Sequence, residues 1–132
     1  MLLTLAWRWA PVVAQMIAIF VASSMTDVPD LPGGLSNYTG HLVGYAVLGV
    51  FAIRAFAGAK WSGVTGGAAG RAIALSAAYG VTDEIHQMFV ANRMPDVADW
   101  CADVAGAVLG ALAVLAVARA IVRRRTARTS GV

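Results

Sequence analysis

Charged residues are scarce along most of this chain and then arrive in clusters, a pattern that predicts four apolar helices. The first covers about 9–24, because no charge falls between Arg8 and Asp27. That stretch is just long enough to cross a bilayer with Trp7 and Trp9 at its interface. Pro11 then falls in the first turn, where a missing N–H costs nothing. In the following MTDVPDLPGGLSNYTG, two prolines and a glycine pair forbid a continuous helix. A second span covers about 39–57, with Arg54 placed to snorkel. The glycine-rich stretch from Gly58 to Gly70 reads as a loop, and no GKS or GKT follows to make it a phosphate loop. A third span covers about 71–90. It crosses only if Asp83, Glu84 and His86 face protein or water rather than lipid. A turn ending at Pro95 leads to a fourth span, about 96–119, where Asp96 and Asp99 meet the positive end of the helix dipole. A frayed basic tail, 120–132, completes the reading. The expected fold is all-α: one domain, 1–132, forming a four-helix transmembrane bundle.

Composition supports a membrane protein. Of 132 residues, 59% are apolar and only 13% charged, with a mean hydropathy of +0.71. A soluble domain of this size has a large surface to cover and needs more charge. The charges also sort by side. Arg8, Arg54, Lys60, Arg71, Arg119, Arg123, Arg124, Arg125 and Arg128 fall on one face of the four-span arrangement. Arg93 alone joins the acids Asp27, Asp30, Asp83, Glu84, Asp96, Asp99 and Asp103 on the other. Under the positive-inside rule both termini are cytoplasmic (N-in/C-in) and the acids lie at the outer leaflet. The net charge of +3 is thus a topology device. The Arg-rich tail abuts a span and reads as lipid contact, with no nucleic-acid partner. Cys101, the lone cysteine, excludes an intramolecular disulfide and reads as a small apolar filler. Ala22-Ser23-Ser24 offers only a weak cleavage site, so no cleaved signal peptide is expected.

Every span delivers polar residues to one level. The first brings Ser23, Ser24 and Asp27, and the second brings His41 and Tyr45 at i, i+4. In the third, Tyr79, Asp83, His86 and Val90 share a stripe with Gln87 beside it, while Glu84 points about 100° from Asp83. The fourth carries Asp96, Asp99, Asp103, Gly106 and Gly110 on one stripe, acids outward and glycines deeper, where small residues let a neighbouring backbone come close. Ionisable groups inside spans are costly and mark function by default. Three readings stay open. In the structural one, the acids pair with Arg93 and His86 and hold loops at the headgroups, for about 0–1 kcal/mol each. In the binding one, Arg93 contacts an anionic lipid headgroup or peptide, Asp83 and His86 orient it, and Asp99 holds Arg93 across the turn. In the catalytic one, Asp83, Glu84 and His86 carry the chemistry, Glu84 as a general base or the cluster as a divalent-metal site, with His86, Asp83 and Asp99 as candidate ligands. DEIHQ is not the HExxH arrangement. A structural or partner-binding subunit, joined through the glycine face of the fourth span, is a further alternative.

The blocks HLVGYAVLGV (41–50), AYGVTDEIHQMFVANRMPDVADWCADVAGAVLG (78–110) and SSM…VPDLP (23–32) resemble the VanZ-like family of small integral membrane proteins. The family pattern places His41 and Tyr45 in the second span. It places Tyr79, Gly80, Asp83, Glu84, His86 and Gln87 in the third, then Arg93, Asp99, Asp103 and Gly106. Asn37-Tyr38 stands where members often carry Asp-Lys, and Asp96 where Ser is common. The family's namesake is associated with resistance to the lipoglycopeptide teicoplanin. The resemblance implies a multi-pass protein of the bacterial cytoplasmic membrane. It implies no particular reaction. The convergence of polar residues from every span is what points to an outward pocket of His41, Tyr45, Asp83, His86, Gln87, Arg93, Asp99 and Asp103 that binds a lipid-linked envelope ligand or glycopeptide. A metal-assisted hydrolase or transferase is the runner-up.

Overall fold

A computed structural model describes residues 2–26 and 37–129, leaving Asp27, Asp30 and the Pro-Gly loop outside the described residues. Four α-helices carry the fold: α1 (Leu2–Ser23), α2 (Asn37–Phe56), α3 (Gly66–Gln87) and α4 (Val97–Thr129), with a short 3-10 turn at Trp61–Gly63. Among the described residues there is no strand, as the sequence pattern predicts. Helices α1, α2 and α4 are long and apolar enough to cross a membrane; α3 is not, because acids crowd its last turns. It nevertheless packs along α2 and α4 as the fourth member of the bundle.

The helix ends differ from the sequence pattern in three places, each with a physical reason. α1 begins at Leu2, so Pro11 lies inside the helix rather than in its first turn. A proline there cannot donate to the carbonyl four residues back. That carbonyl, Trp7 O, instead accepts from Arg54 Nη1 at 3.3 Å, and the same guanidinium sits 5.5 Å from the Trp7 ring centroid. α3 begins at Gly66, inside the expected loop, because Thr65 caps it by accepting from Ala68 N at 3.2 Å. Ala68, Ala69 and Ala72 then bury against α2. α4 runs on through the basic tail to Thr129, since alanine and arginine are strong helix formers. The tail expected to be frayed is therefore helical as far as Thr129, and its last three residues lie outside the described residues.

Small residues set the helix spacing. The pair α2–α4 forms the most extensive contact in the bundle. A Cβ added at Gly106 would lie 2.2 Å from Leu42 O, and one at Gly110 would lie 2.1 Å from Ala46 O. Between two such helices lie Ala52, Ile53, Ala111 and Leu115, all buried. Association of this kind rests on van der Waals contact between close backbones. The glycine face of the fourth span is thus used inside the chain: Ala107 and Ala111 are fully buried, which removes it as a docking face for a partner subunit. Elsewhere the surface is apolar. Ile17 and Phe20 on α1, Val43 and Val47 on α2, Val81 and Ile85 on α3, and Leu109, Leu112 and Val117 on α4 all point outward. Outward apolar side chains of this kind suit a lipid surround.

The first helix is held across the bundle by polar contacts as well as by Val12, Trp9 and Met16. Gln15 Nε2 donates to Gly44 O at 3.0 Å, and Tyr79 OH donates to Met16 O at 2.6 Å. Interhelical hydrogen bonds in membranes are worth about 0.6–1.7 kcal/mol. Tyr79→Phe should therefore lower the detergent melting temperature by a corresponding few degrees. An unchanged melting temperature would mean that α1 docks by apolar contact alone.

Candidate functional site

Chain direction brings the C-terminal ends of α1 and α3 and the N-terminal ends of α2 and α4 to one end of the bundle, and hydrogen bonds tie them there. Ser23 Oγ on α1 donates to Asp83 Oδ1 on α3 at 2.6 Å. Asn37 Nδ2 on α2 donates to Asp99 Oδ2 on α4 at 3.0 Å. His41 Nδ1 lies 2.9 Å from Asp103 Oδ1, and its Nε2 lies 3.6 Å from Asp99 Oδ2. Asp96 precedes α4 and caps it, its Oδ1 accepting from Ala98 N at 2.8 Å. Its own N–H donates to Glu84 Oε2 at 2.8 Å, joining α4 to α3.

The buried face of α3 is Ser76, Gly80, Asp83 and Gln87. Tyr79 and His86 flank it toward α1, and Glu84 flanks it toward α4. This shifts the stripe read from the sequence by one position. Glu84, expected about 100° away from Asp83, remains close enough to share a neighbour with it. Gly80 matters because Asp103 and Trp100 press on it: an added Cβ would stand 3.0 Å from Asp103 Oδ2. Trp100 Nε1 donates to Ala77 O at 3.1 Å, so this tryptophan braces α4 on α3.

A common pattern runs through the four central carboxylates. Each has one oxygen engaged by protein: Asp83 by Ser23, Glu84 by the Asp96 N–H, Asp99 by Asn37, and Asp103 by His41. In each, the other oxygen is buried with no hydrogen-bond partner among the described residues. Tyr45 OH, Ser76 Oγ and Gln87 Nε2 are in the same condition. Asp83 is 3% exposed and Asp103 fully buried. A buried polar atom without a partner costs about 1–3 kcal/mol, more if charged, and native proteins keep few of them. Among the described residues there are seven such atoms, six of them on the expected site residues Tyr45, Asp83, Glu84, Gln87, Asp99 and Asp103, and together they form a chamber whose polar groups are held at a cost to stability.

The structure separates the residues expected to act together. His41, Asp83 and Glu84 converge: one ring nitrogen and one oxygen from each carboxylate lie within 4.8 Å of one another. The expected ligand trio His86, Asp83 and Asp99 does not meet in this way. His86 faces α1, where Nε2 lies 2.9 Å from Ser24 Oγ and its ring lies 4.3 Å from that of Phe20. The single Ser24 hydrogen goes to Phe20 O, so His86 Nε2 is the donor in that contact. Arg93 does not hold Asp99: it donates from Nε to Met25 O at 3.3 Å, and Asp99 is engaged by Asn37 and His41 instead. Among the described residues, the charged contacts of these carboxylates are with His41 alone. Beside the chamber, a groove of about 310 Å³ runs between α3 and α4, lined by Val81, Glu84, Ile85, Met88, Val97 and Trp100 among others.

Sequence reasoning missed Asn37, Ser76 and Trp100. Ser76 could have been found, because it continues the Gly80, Asp83 and Gln87 face at helical spacing. Nothing local marks Asn37, whose partner Asp99 is distant in sequence.

The family model described as VanZ/LLP1 matches residues 2–119, which takes in α1, α2, α3, most of α4 and the whole chamber. The chain belongs to this VanZ-like family. No curated protein and no solved structure matches it. The matched region ends before Arg123, Arg124, Arg125 and Arg128.

Proposed function

We propose that this VanZ-like protein sits in the bacterial cytoplasmic membrane with its basic end inside and its carboxylate chamber outward. There it binds the headgroup of an envelope lipid or a peptidoglycan-linked lipid and so lowers susceptibility to glycopeptides such as teicoplanin. One observation carries the reading: buried polar atoms from α2, α3 and α4 with no partner among the described residues adjoin an apolar groove, and Glu84 belongs to both. A lipid has the matching form, a polar head for the chamber and an acyl chain for the groove. Val81, Ile85, Met88 and Val97 are outward-facing, so the groove is accessible from the bilayer. Arg93, at the rim, supplies the cation for an anionic group. His41, Tyr45, Asp83, Gln87, Asp99 and Asp103 supply directional contacts, with His86 at the α1 side.

Lipids extracted with the purified protein test this. Native mass spectrometry should find one lipid class retained by wild type and depleted at least about fivefold, roughly 1 kcal/mol, in Glu84→Gln and Arg93→Ala. Retention of bulk membrane lipid alone, equal in all three proteins, would remove the lipid-headgroup reading.

A further inference from the structure

The chamber gathers four carboxylates and one imidazole, yet among the described residues no lysine or arginine forms an ion pair with them, and Arg93 reaches only Asp99, through its charge. Charges held in a membrane interior need a compensating partner. Three features show where one fits. His41, Asp83 and Glu84 present one ligand atom each within 4.8 Å of one another. A common ion about 2.1 Å from each atom requires separations of roughly 3–4 Å, so binding would draw the three side chains slightly together. Asp83 is 3% exposed with Oδ2 unpartnered, and Glu84 Oε1 is also unpartnered. Their engaged oxygens, meanwhile, are fixed by Ser23 and the Asp96 N–H. Asp103 stands behind His41, 2.9 Å from Nδ1. An ionised carboxylate only accepts, so Nδ1 carries the hydrogen, and the neutral ring would present the Nε2 lone pair to a cation. That carboxylate–histidine arrangement orients metal-binding imidazoles and raises their basicity.

We infer that His41, Asp83 and Glu84 bind one divalent transition-metal cation of the Mn²⁺ or Zn²⁺ class, with Asp103 as the positioning residue behind His41. An imidazole beside two carboxylates suits these ions better than Ca²⁺ or Mg²⁺, which take mostly oxygen. Three protein ligands leave a position open. Asp99, whose Oδ1 has no hydrogen-bond partner among the described residues and whose Oδ2 lies 3.6 Å from His41 Nε2, is the protein group next in line to complete the set. What fills the open position rests on the proposed lipid-headgroup function; binding of the cation itself does not. The same ion is also the Lewis acid that a hydrolase or transferase at this site would need.

The test uses the full chain in detergent, stripped with chelator and titrated with MnCl₂ alone, with free Mn²⁺ read by electron paramagnetic resonance and ZnCl₂ added in competition. Wild type should bind one Mn²⁺ per chain, displaced by Zn²⁺ and not by equimolar Mg²⁺. His41→Gln, Asp83→Asn and Glu84→Gln, each confirmed helical by circular dichroism and monodisperse, should lose at least about a hundredfold in affinity. Asp103→Asn should lose roughly tenfold, as expected of a group acting through the ligand. Folded wild type with no binding below about 1 mM would overturn the inference, whatever the variants do. Binding lost in His86→Gln but kept in His41→Gln would overturn the assignment. If lipid is retained but no cation binds, the inference fails and the headgroup reading stands; one Mn²⁺ per chain without retained lipid gives the reverse.

Discussion

Gly110→Ala is expected to cost the bundle its α2–α4 interface. The added methyl carbon would stand 2.1 Å from Ala46 O and 2.9 Å from its carbonyl carbon, well inside van der Waals contact. The obstacle is backbone, so no side-chain rotation relieves it and the helices must separate. Overpacking typically costs 1–3 kcal/mol; here the expected loss is at the upper end, about 3 kcal/mol or more, because separation also loosens Gly106 against Leu42 and Ala111 against the α2 core. Gly70→Ala is the matched control, since an added Cβ there meets nothing within 4 Å. Melting in detergent should show Gly70→Ala unchanged or higher, alanine being the better helix former, and Gly110→Ala strongly lowered or too unstable to purify. Equal melting of the two would mean that α2 and α4 do not approach this closely.

The second large effect is on function with stability preserved. Asp83→Asn keeps an oxygen to accept from Ser23 and brings an amide to the side where Oδ2 has no partner. It also removes one negative charge from a cluster that holds Glu84, Asp99 and Asp103, where the neighbouring basic groups among the described residues are the His41 imidazole and, beside Asp99, Arg93. Both changes favour the fold. The melting temperature should stay equal or rise by about 3–5 °C, on the order of 1 kcal/mol, as is common where a functional site is held at the expense of stability. The activity attributed to the chamber should disappear. Were Asp83 instead one half of a stabilising buried ion pair, removing it would cost on the order of 3–5 kcal/mol, and melting would fall steeply.

Much of this was legible in the sequence, and the physical reason is periodicity. Apolar runs bounded by charge gave the four helices. The i, i+3 and i+7 spacing of Asp96, Asp99 and Asp103 placed them on one side of α4. Antiparallel connection then brought His41, Asp83 and Asp103 to the same end. Spacing along one helix does not say which neighbour each flank faces. That is why His41 rather than His86 joins Asp83 and Glu84, and why Arg93 turns to Met25 O rather than Asp99. The start of α1 was hidden by Pro11, read as a first-turn residue; its cost is met by Arg54, far away in sequence. The helical tail was hidden because charge density was read as fraying, while helix propensity pointed the other way.

The central claim is that the carboxylate chamber is the working part of this VanZ-like protein in the cell envelope. Its most direct test is the teicoplanin susceptibility of a sensitive bacterial host carrying empty vector, wild type, or Asp83→Asn, with membrane abundance matched by immunoblot. The account predicts protection by wild type that Asp83→Asn loses at equal abundance. Protection by Asp83→Asn equal to wild type would contradict it and move the function away from the chamber.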